Sequence, residues 1–203
     1  MIIIDIGACV GEYTDYCLTN YQVDKIYLFE PLTCNYNFLI GKYKDNNKVV
    51  IYQKAVSDFD GKARFYKKGY IQKTGETLYD FAGNVGSSLK IDKSNVSKQV
   101  FEEVQVIKLG PFINQNQITH IDILKIDTEG SEYDIISDIV ETKLYAIIDK
   151  ICYEDHARKV ASIHEKKFKV VNKVRDMGIL DKFYLQSKLL KYIPAAKCWA
   201  KPS

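Results

Sequence analysis

The chain has 203 residues, 46% of them hydrophobic, with a net charge of +3. That length closes one hydrophobic core, so the sequence reads as a single domain over 1–203. The five cysteines (Cys9, Cys17, Cys34, Cys152 and Cys198) lack a CxxC or Cys/His spacing, which argues against a disulfide framework and a structural zinc site and for a reducing, cytoplasmic setting.

The opening MIIIDIGACVGEYTDY gives a strand ending at Asp5, a turn punctuated by Gly7 and Gly11, and a helix from about Glu12 to Asn20. Asp5 follows Ile4 at once, so no leader is expected, and no apolar run reaches the roughly 18 to 20 residues of a membrane span. KIYLFEP reads as a second strand stopped by Pro31, and TCNYNFLIGKY as a helix with Thr33 as its N-cap. A third strand, KVVIYQKAV, runs into the turn SDFDGK and the short strand ARFYKK. Gly69 to Lys98 holds Gly75, Gly83 and Gly86 among polar residues and reads as a long loop of the kind that forms lids. The strand EEVQVIKLG follows it.

IDILKIDTEGSEYDII then gives a buried strand ending at Asp127, a Thr-Glu-Gly turn and a helix with Ser131 near its start. AIIDKICYEDHARKV repeats the design, with a strand ending near Glu154 and a helix from about His156. KFKVVNKVRDM and DKFYLQSK read as two strands, too close for a crossover helix, which predicts an antiparallel hairpin. From 159 to 203 there are 11 Lys/Arg against 3 Asp/Glu, leaving 18 against 23 before it, or about +8 and −5. This basic end, including the tail 189–203, reads as a solvated face, as an attractor of phosphate groups or, with Trp199 among its lysines, as a segment that docks on a partner.

Strands alternating with helices predict an α/β fold on a mostly parallel sheet, where ligands sit outside the C-terminal strand ends. Asp5, Glu30, Asp58, Asp127 and Glu154 all fall at such ends. Glu30 stands 19 residues after Gly11, where a carboxylate accepts both hydroxyls of an adenosine ribose, or else caps the following helix. A dinucleotide turn needs GxGxxG to seat a pyrophosphate, whereas this turn is D-x-G-x-x-x-G, with an acid that repels one. S-adenosylmethionine carries a sulfonium, an ammonium and a ribose but no phosphate, and suits such a turn.

DIGACVGEYT, LFEP, AVSDFDGKARFY, GSSL and LKIDTEGSEYDII, in this order over Asp5 to Ile136, resemble the FkbM family of S-adenosylmethionine-dependent methyltransferases. The resemblance implies a class I methyltransferase (Rossmann-like) three-layer sandwich, with a seven-stranded, mostly parallel sheet ending in an antiparallel hairpin. It implies O-methylation of a sugar or another small metabolite. It places the donor's methionine end near Asp5, Gly7 and Gly11, the ribose on Glu30, the adenine beside Val56, Ser57 and Asp58, and Asp127 and Glu129 facing donor and acceptor. The chain departs from the family at Cys9, where Asn is usual, and at Gly110, where Asp is common. It starts at the first strand, without the helices that often cover the site, which leaves the lid and acceptor selectivity unassigned.

Methyl transfer to a hydroxyl needs alignment and a proton acceptor. His156 is the preferred base, because it follows a strand end and is largely neutral near pH 7. Ser87, Ser88, Glu129, Glu154 and His156 would give the acceptor a polar lining. Asp127, Glu154 and Asp155 form an alternative as metal ligands, but bonds to ligand hydroxyls explain strand-end acids equally, and no metal is assigned. The expected partner is a small-molecule acceptor, with no statement on oligomeric state. Two rival readings are a non-catalytic donor-binding protein and a methyltransferase of nucleic acid. The latter lacks an aromatic-basic stripe.

Overall fold

The computed structural model describes residues 1–186. Its central strand is β1 (Ile2–Ile6), in which Ile3 and Ile4 are both fully buried. Neighbouring side chains of a strand point to opposite faces, so burial of both means that both faces are covered. Ile3 joins a cluster with Cys17, Ile26, Leu28 and Leu39, and Ile4 joins another with Phe29, Phe112, Ile135 and Ile139. Each such side chain contributes about 1.5–3 kcal/mol by leaving water.

The chain runs from β1 through α1 (Glu12–Asn20) to β2 (Lys25–Phe29), and through α2 (Thr33–Tyr43) to β3 (Val49–Tyr52), moving steadily to one side. A second, three-stranded sheet follows, in which β4 (Ala55–Val56) and β5 (Gly61–Tyr66) flank β8 (Phe101–Ile107). Between β5 and β8 lies a small hairpin of β6 (Tyr70–Ile71) and β7 (Thr77–Leu78). After α3 (Leu109–Gln115) the chain returns to the other side of β1 as β9 (Ile121–Ile126), then α4 (Glu132–Glu141), β10 (Ile148–Glu154), α5 (His164–Asp176) and β11 (Phe183–Gln186). The main sheet has the order β11-β10-β9-β1-β2-β3 with every pairing parallel. The reversal of direction falls between β1 and β9, and it opens a crevice at their C-terminal ends.

Several expectations are corrected. KFKVVNKVRDM lies almost wholly in α5, because Val170 and Val174, four residues apart, bury one face while the charges occupy the other. DKFYLQSK supplies β11, which pairs parallel with β10, so the hairpin is absent and the main sheet has six strands among the described residues. KVVIYQKAV splits between two sheets as β3 and β4. Two short 3-10 turns, Ala157–Lys159 and Ala161–Ile163, replace the helix expected from His156. Leu32, not Thr33, caps α2. The loop 69–98 contains the β6–β7 hairpin, and the tail 189–203 lies outside the described residues.

Gly7 follows β1 with φ +79°, and a Cβ there would stand 1.9 Å from the Asp127 carbonyl oxygen. The glycine therefore lets two backbones cross at the crevice floor. Gly178 has φ +69° but open space around it. We expect Gly7→Ala to cost about 2–5 kcal/mol, the sum of left-handed strain and overpacking, and Gly178→Ala about 1–2 kcal/mol. Equal shifts of the two midpoints in urea unfolding would contradict the close approach.

Candidate functional site

The acid that ends the first apolar run is part of the floor beneath the crevice. Asp5 on β1 and Lys125 on β9 are register partners, and Asp5 Oδ1 stands 3.0 Å from Lys125 Nζ. Asp5 is fully buried, and its Oδ2 accepts the Thr14 hydroxyl at 3.1 Å. Lys125 donates to the Gly7 carbonyl at 3.0 Å and lies 3.7 Å from Asp127 Oδ2. Burial would lower the Lys125 pKa, but Asp5 and Asp127 outweigh it and hold the ammonium above its usual range. One cation thus ties the turn after β1 to the turn after β9.

Above this floor lies a cavity walled by Gly7 and Cys9, by Glu30 and Leu32, by Val56 and Phe65, and by the turn Asp127–Glu129 with Ser131. The loop segment 84–89 closes one side, with Asn84 and Ser87 among its lining residues. Glu30 is 5% exposed; its Oε2 accepts the Cys9 N–H and its Oε1 the Leu32 N–H, each at 2.9 Å. It has no ion pair among the described residues, and burial pushes its carboxyl from 4.5 up to about 7 against those hydrogen bonds. Cys9 takes φ 51°, and burial, with Glu30 beside it, pushes its thiol up to about 12. The Ser131 hydroxyl oxygen is buried with no hydrogen-bond partner. Such orphaned polar atoms cost about 1–3 kcal/mol, and a bound ligand recovers that.

The opposite wall is an ordered cluster of charges. Glu132, fully buried at the start of α4, accepts at Oε1 the Thr128 N–H and hydroxyl at 3.0 Å and the Gly130 N–H at 3.1 Å, fixing the turn. The same oxygen is 3.1 Å from His156 Nδ1. The turn holds Glu129 at φ 57° and presents its side chain at the cavity edge. Glu129 Oε2 is met by Lys93 Nζ at 3.1 Å, His156 Nε2 at 3.2 Å and Lys159 Nζ at 3.5 Å. Burial raises the Glu129 carboxyl, but these three neighbours outweigh it and keep it below the usual range. Lys93 also donates to Asn95 Oδ1 at 2.6 Å, and Ser88 donates its hydroxyl to the Glu129 carbonyl at 2.8 Å, so the long loop is fastened to this turn.

Of the residues expected at the site, Gly7, Glu30, Val56, Ser87, Asp127 and Glu129 line the cavity. Asp5 lies beneath it. Gly11 caps α1 under Tyr43, whose hydroxyl donates to the Gly11 carbonyl at 2.9 Å. Ser57 donates its N–H to Ile107, and Asp58 is paired with Lys166 at 2.7 Å, so neither lines the cavity. His156 was expected to face the acceptor, but its side chain is 1% exposed and stands behind Glu129, with Glu154 Oε1 3.6 Å from its Nε2. Asp155 is turned away, paired with Lys167. Lys125, Glu132, Lys93 and Asn84 were missed. Lys125 alone carried a signal, as a single lysine inside the apolar run IDILKID.

A parallel sheet with a crevice at its reversal point is the arrangement in which α/β folds hold ligands at their strand ends. Residues 5–177 match the model of the methyltransferase FkbM domain, and the chain belongs to that methyltransferase family. The crystal structure of methyltransferase FkbM from Methylobacillus flagellatus KT is 16% identical, with a TM-score of 0.41, over 70% of this chain and 30% of that one. No curated protein matches the chain. Among the described residues, no helix is long and apolar enough to cross a membrane.

Asp5→Asn should cost about 3–5 kcal/mol, because it leaves Lys125 buried with a weaker partner. Adding Lys125→Met should recover part of that loss. Unfolding midpoints test this, and an Asp5→Asn protein as stable as the parent would remove the pair from its place at the floor.

Proposed function

We propose that the chain is an S-adenosylmethionine-dependent O-methyltransferase acting on a hydroxyl of a small polar metabolite, a sugar or nucleotide sugar. The observation that carries this reading is Glu30, a buried carboxylate without an ion pair that lines the cavity and keeps free lone pairs. A pair of ribose hydroxyls suits that carboxylate, whereas an anionic pyrophosphate does not. The partnerless Ser131 hydroxyl on the far wall accepts a second polar group. In this reading Gly7, Cys9 and Asp127 flank the methionine end, and Val56, Leu32 and Phe65 give the adenine an apolar slot. Asp5 acts from below through Lys125, while Ser57 and Asp58 support the adenine wall from outside the cavity.

The bound donor supplies a methyl group on a sulfonium, open to in-line displacement. The chain's own residues then have to orient the acceptor, exclude water and receive a proton. Asp127 and Glu129 offer carboxylate oxygens to the acceptor hydroxyl at the cavity edge, with His156 bracing Glu129 and Glu154 standing behind His156. Asn84 and Ser87 add hydrogen-bonding groups suited to an acceptor rich in hydroxyls, and Ser88 pins the loop that carries them. Within the described part of the basic region, Lys166 pairs with Asp58 and Asp134 and Lys167 with Asp155, which favours a small acceptor over nucleic acid.

Donor affinity, read by titration calorimetry, should rise with pH through about 7 and level off above it, because only the ionised Glu30 accepts two ribose hydroxyls. The same raised carboxyl favours the folded protein most below its unfolded value of 4.5 and loses that contribution as pH climbs through about 7, so stability and affinity run in opposite directions. Glu30→Gln should flatten the affinity profile, and Glu30→Ala should weaken binding by about 1.5–3 kcal/mol. Unchanged affinity in Glu30→Ala would remove the ribose assignment. Labelled donor offered with nucleotide sugars, free glycosides, phenols and RNA should mark the sugars. Label on phenols or RNA alone would replace the acceptor, and donor binding without transfer to any of them would favour a non-catalytic role.

A further inference from the structure

We propose that Asp127, Glu129 and His156 form a binding site for one divalent metal ion at the edge of the cavity. One ligand atom from each of the three lies within 4.8 Å of the other two, close enough for a single ion to reach all of them. The set differs from the Asp127, Glu154 and Asp155 grouping considered from sequence, because Asp155 is committed to Lys167 and to the Ala157 N–H.

The independent observation is the state of His156. Its side chain is 1% exposed, and Nε2 is a buried atom with no hydrogen-bond partner. That nitrogen is aimed at acids, with Glu129 Oε2 at 3.2 Å and Glu154 Oε1 at 3.6 Å. On the other side of the ring Glu132 Oε1 lies 3.1 Å from Nδ1, and its own place is set by Thr128 and Gly130. Glu132 on Nδ1 fixes the ring so that Nε2 faces Glu129, the usual support behind a metal-bound histidine. An entering ion takes the place of any proton on Nε2, which leaves to solvent, while Nδ1 keeps its proton toward Glu132. One imidazole and two carboxylates suit a first-row divalent ion such as Mn²⁺. Lys93 and Lys159, 3.1 and 3.5 Å from the same Glu129 oxygen, offset part of the carboxylate charge and so moderate the affinity for a cation.

The ion's use rests on the methyl-transfer reading above: beside the donor cavity it orients the acceptor hydroxyl and lowers that proton's affinity for oxygen. The site itself does not depend on that reading, and it is tested without turnover. The full chain is titrated with Mn²⁺, and the free ion is followed by electron paramagnetic resonance. One equivalent should bind, with nitrogen coupling to the bound Mn²⁺ from a single imidazole. Asp127→Asn and His156→Gln should each weaken binding at least tenfold, and His156→Gln should abolish the nitrogen coupling. Asp127 is partly exposed, so its variant keeps the test open if His156→Gln fails to fold. No binding at about 1 mM Mn²⁺, or binding unchanged in Asp127→Asn, overturns the site. Mn²⁺ bound as expected by a protein that transfers no methyl group would leave the site standing and remove the methyl-transfer reading.

Discussion

Asp5 and Lys125 face each other across the one place where the chain reverses its direction along the sheet. Burying two charges costs several kcal/mol per ion, and the pair offsets this only with good geometry and further hydrogen bonds. Thr14 supplies one to Asp5, and the Gly7 carbonyl takes one from Lys125. The result is a fixed distance between two turns that neither parallel pairing nor apolar packing would set alone. Gly7 must then pass over the Asp127 carbonyl with no Cβ between them. Glu30 depends on the same arrangement, since the Cys9 N–H that holds its Oε2 comes from the turn that Lys125 anchors.

The second organising centre is Glu132, which is built into α4 yet acts on the turn before it. By gathering Thr128, Gly130 and His156 on one oxygen, it forces Glu129 into a left-handed conformation that a free chain would avoid. Three nitrogens then converge on Glu129 from β10's end and from the long loop. The loop is therefore held by charge as well as by backbone bonds. Among the described residues after 158, Lys159, Lys166 and Lys167 are spent on acids of the scaffold.

The strands of the main sheet were legible because their residues are apolar on both faces, and the crevice because acids recur where those runs stop. Glu30 and Asp127 could be read from position, and Glu129 only from the resemblance to the family. Asp5, Gly11, Asp58 and His156 could not, because a strand-end acid or a turn glycine looks the same in sequence whether it faces a ligand or its own scaffold. Only the three-dimensional partners decide: Lys125 for Asp5, Tyr43 for Gly11, Lys166 for Asp58 and Glu132 for His156. α5 was misread because valines alternating with lysines imitate a strand, while the spacing of Val170 and Val174 alone reveals the helix. The 3-10 turns before it have no sequence signature of comparable strength.

In the proposed reading a methyl donor occupies the crevice between Glu30 and the Asp127–Glu129 turn. Hydrogen exchange of the full chain with and without S-adenosylmethionine tests it most directly, because both walls report separately. Exchange should slow in peptides covering 5–11, 28–34 and 125–131 together, with α5 unchanged. Protection confined to other segments, or none at donor concentrations that saturate a calorimetric titration, would contradict it.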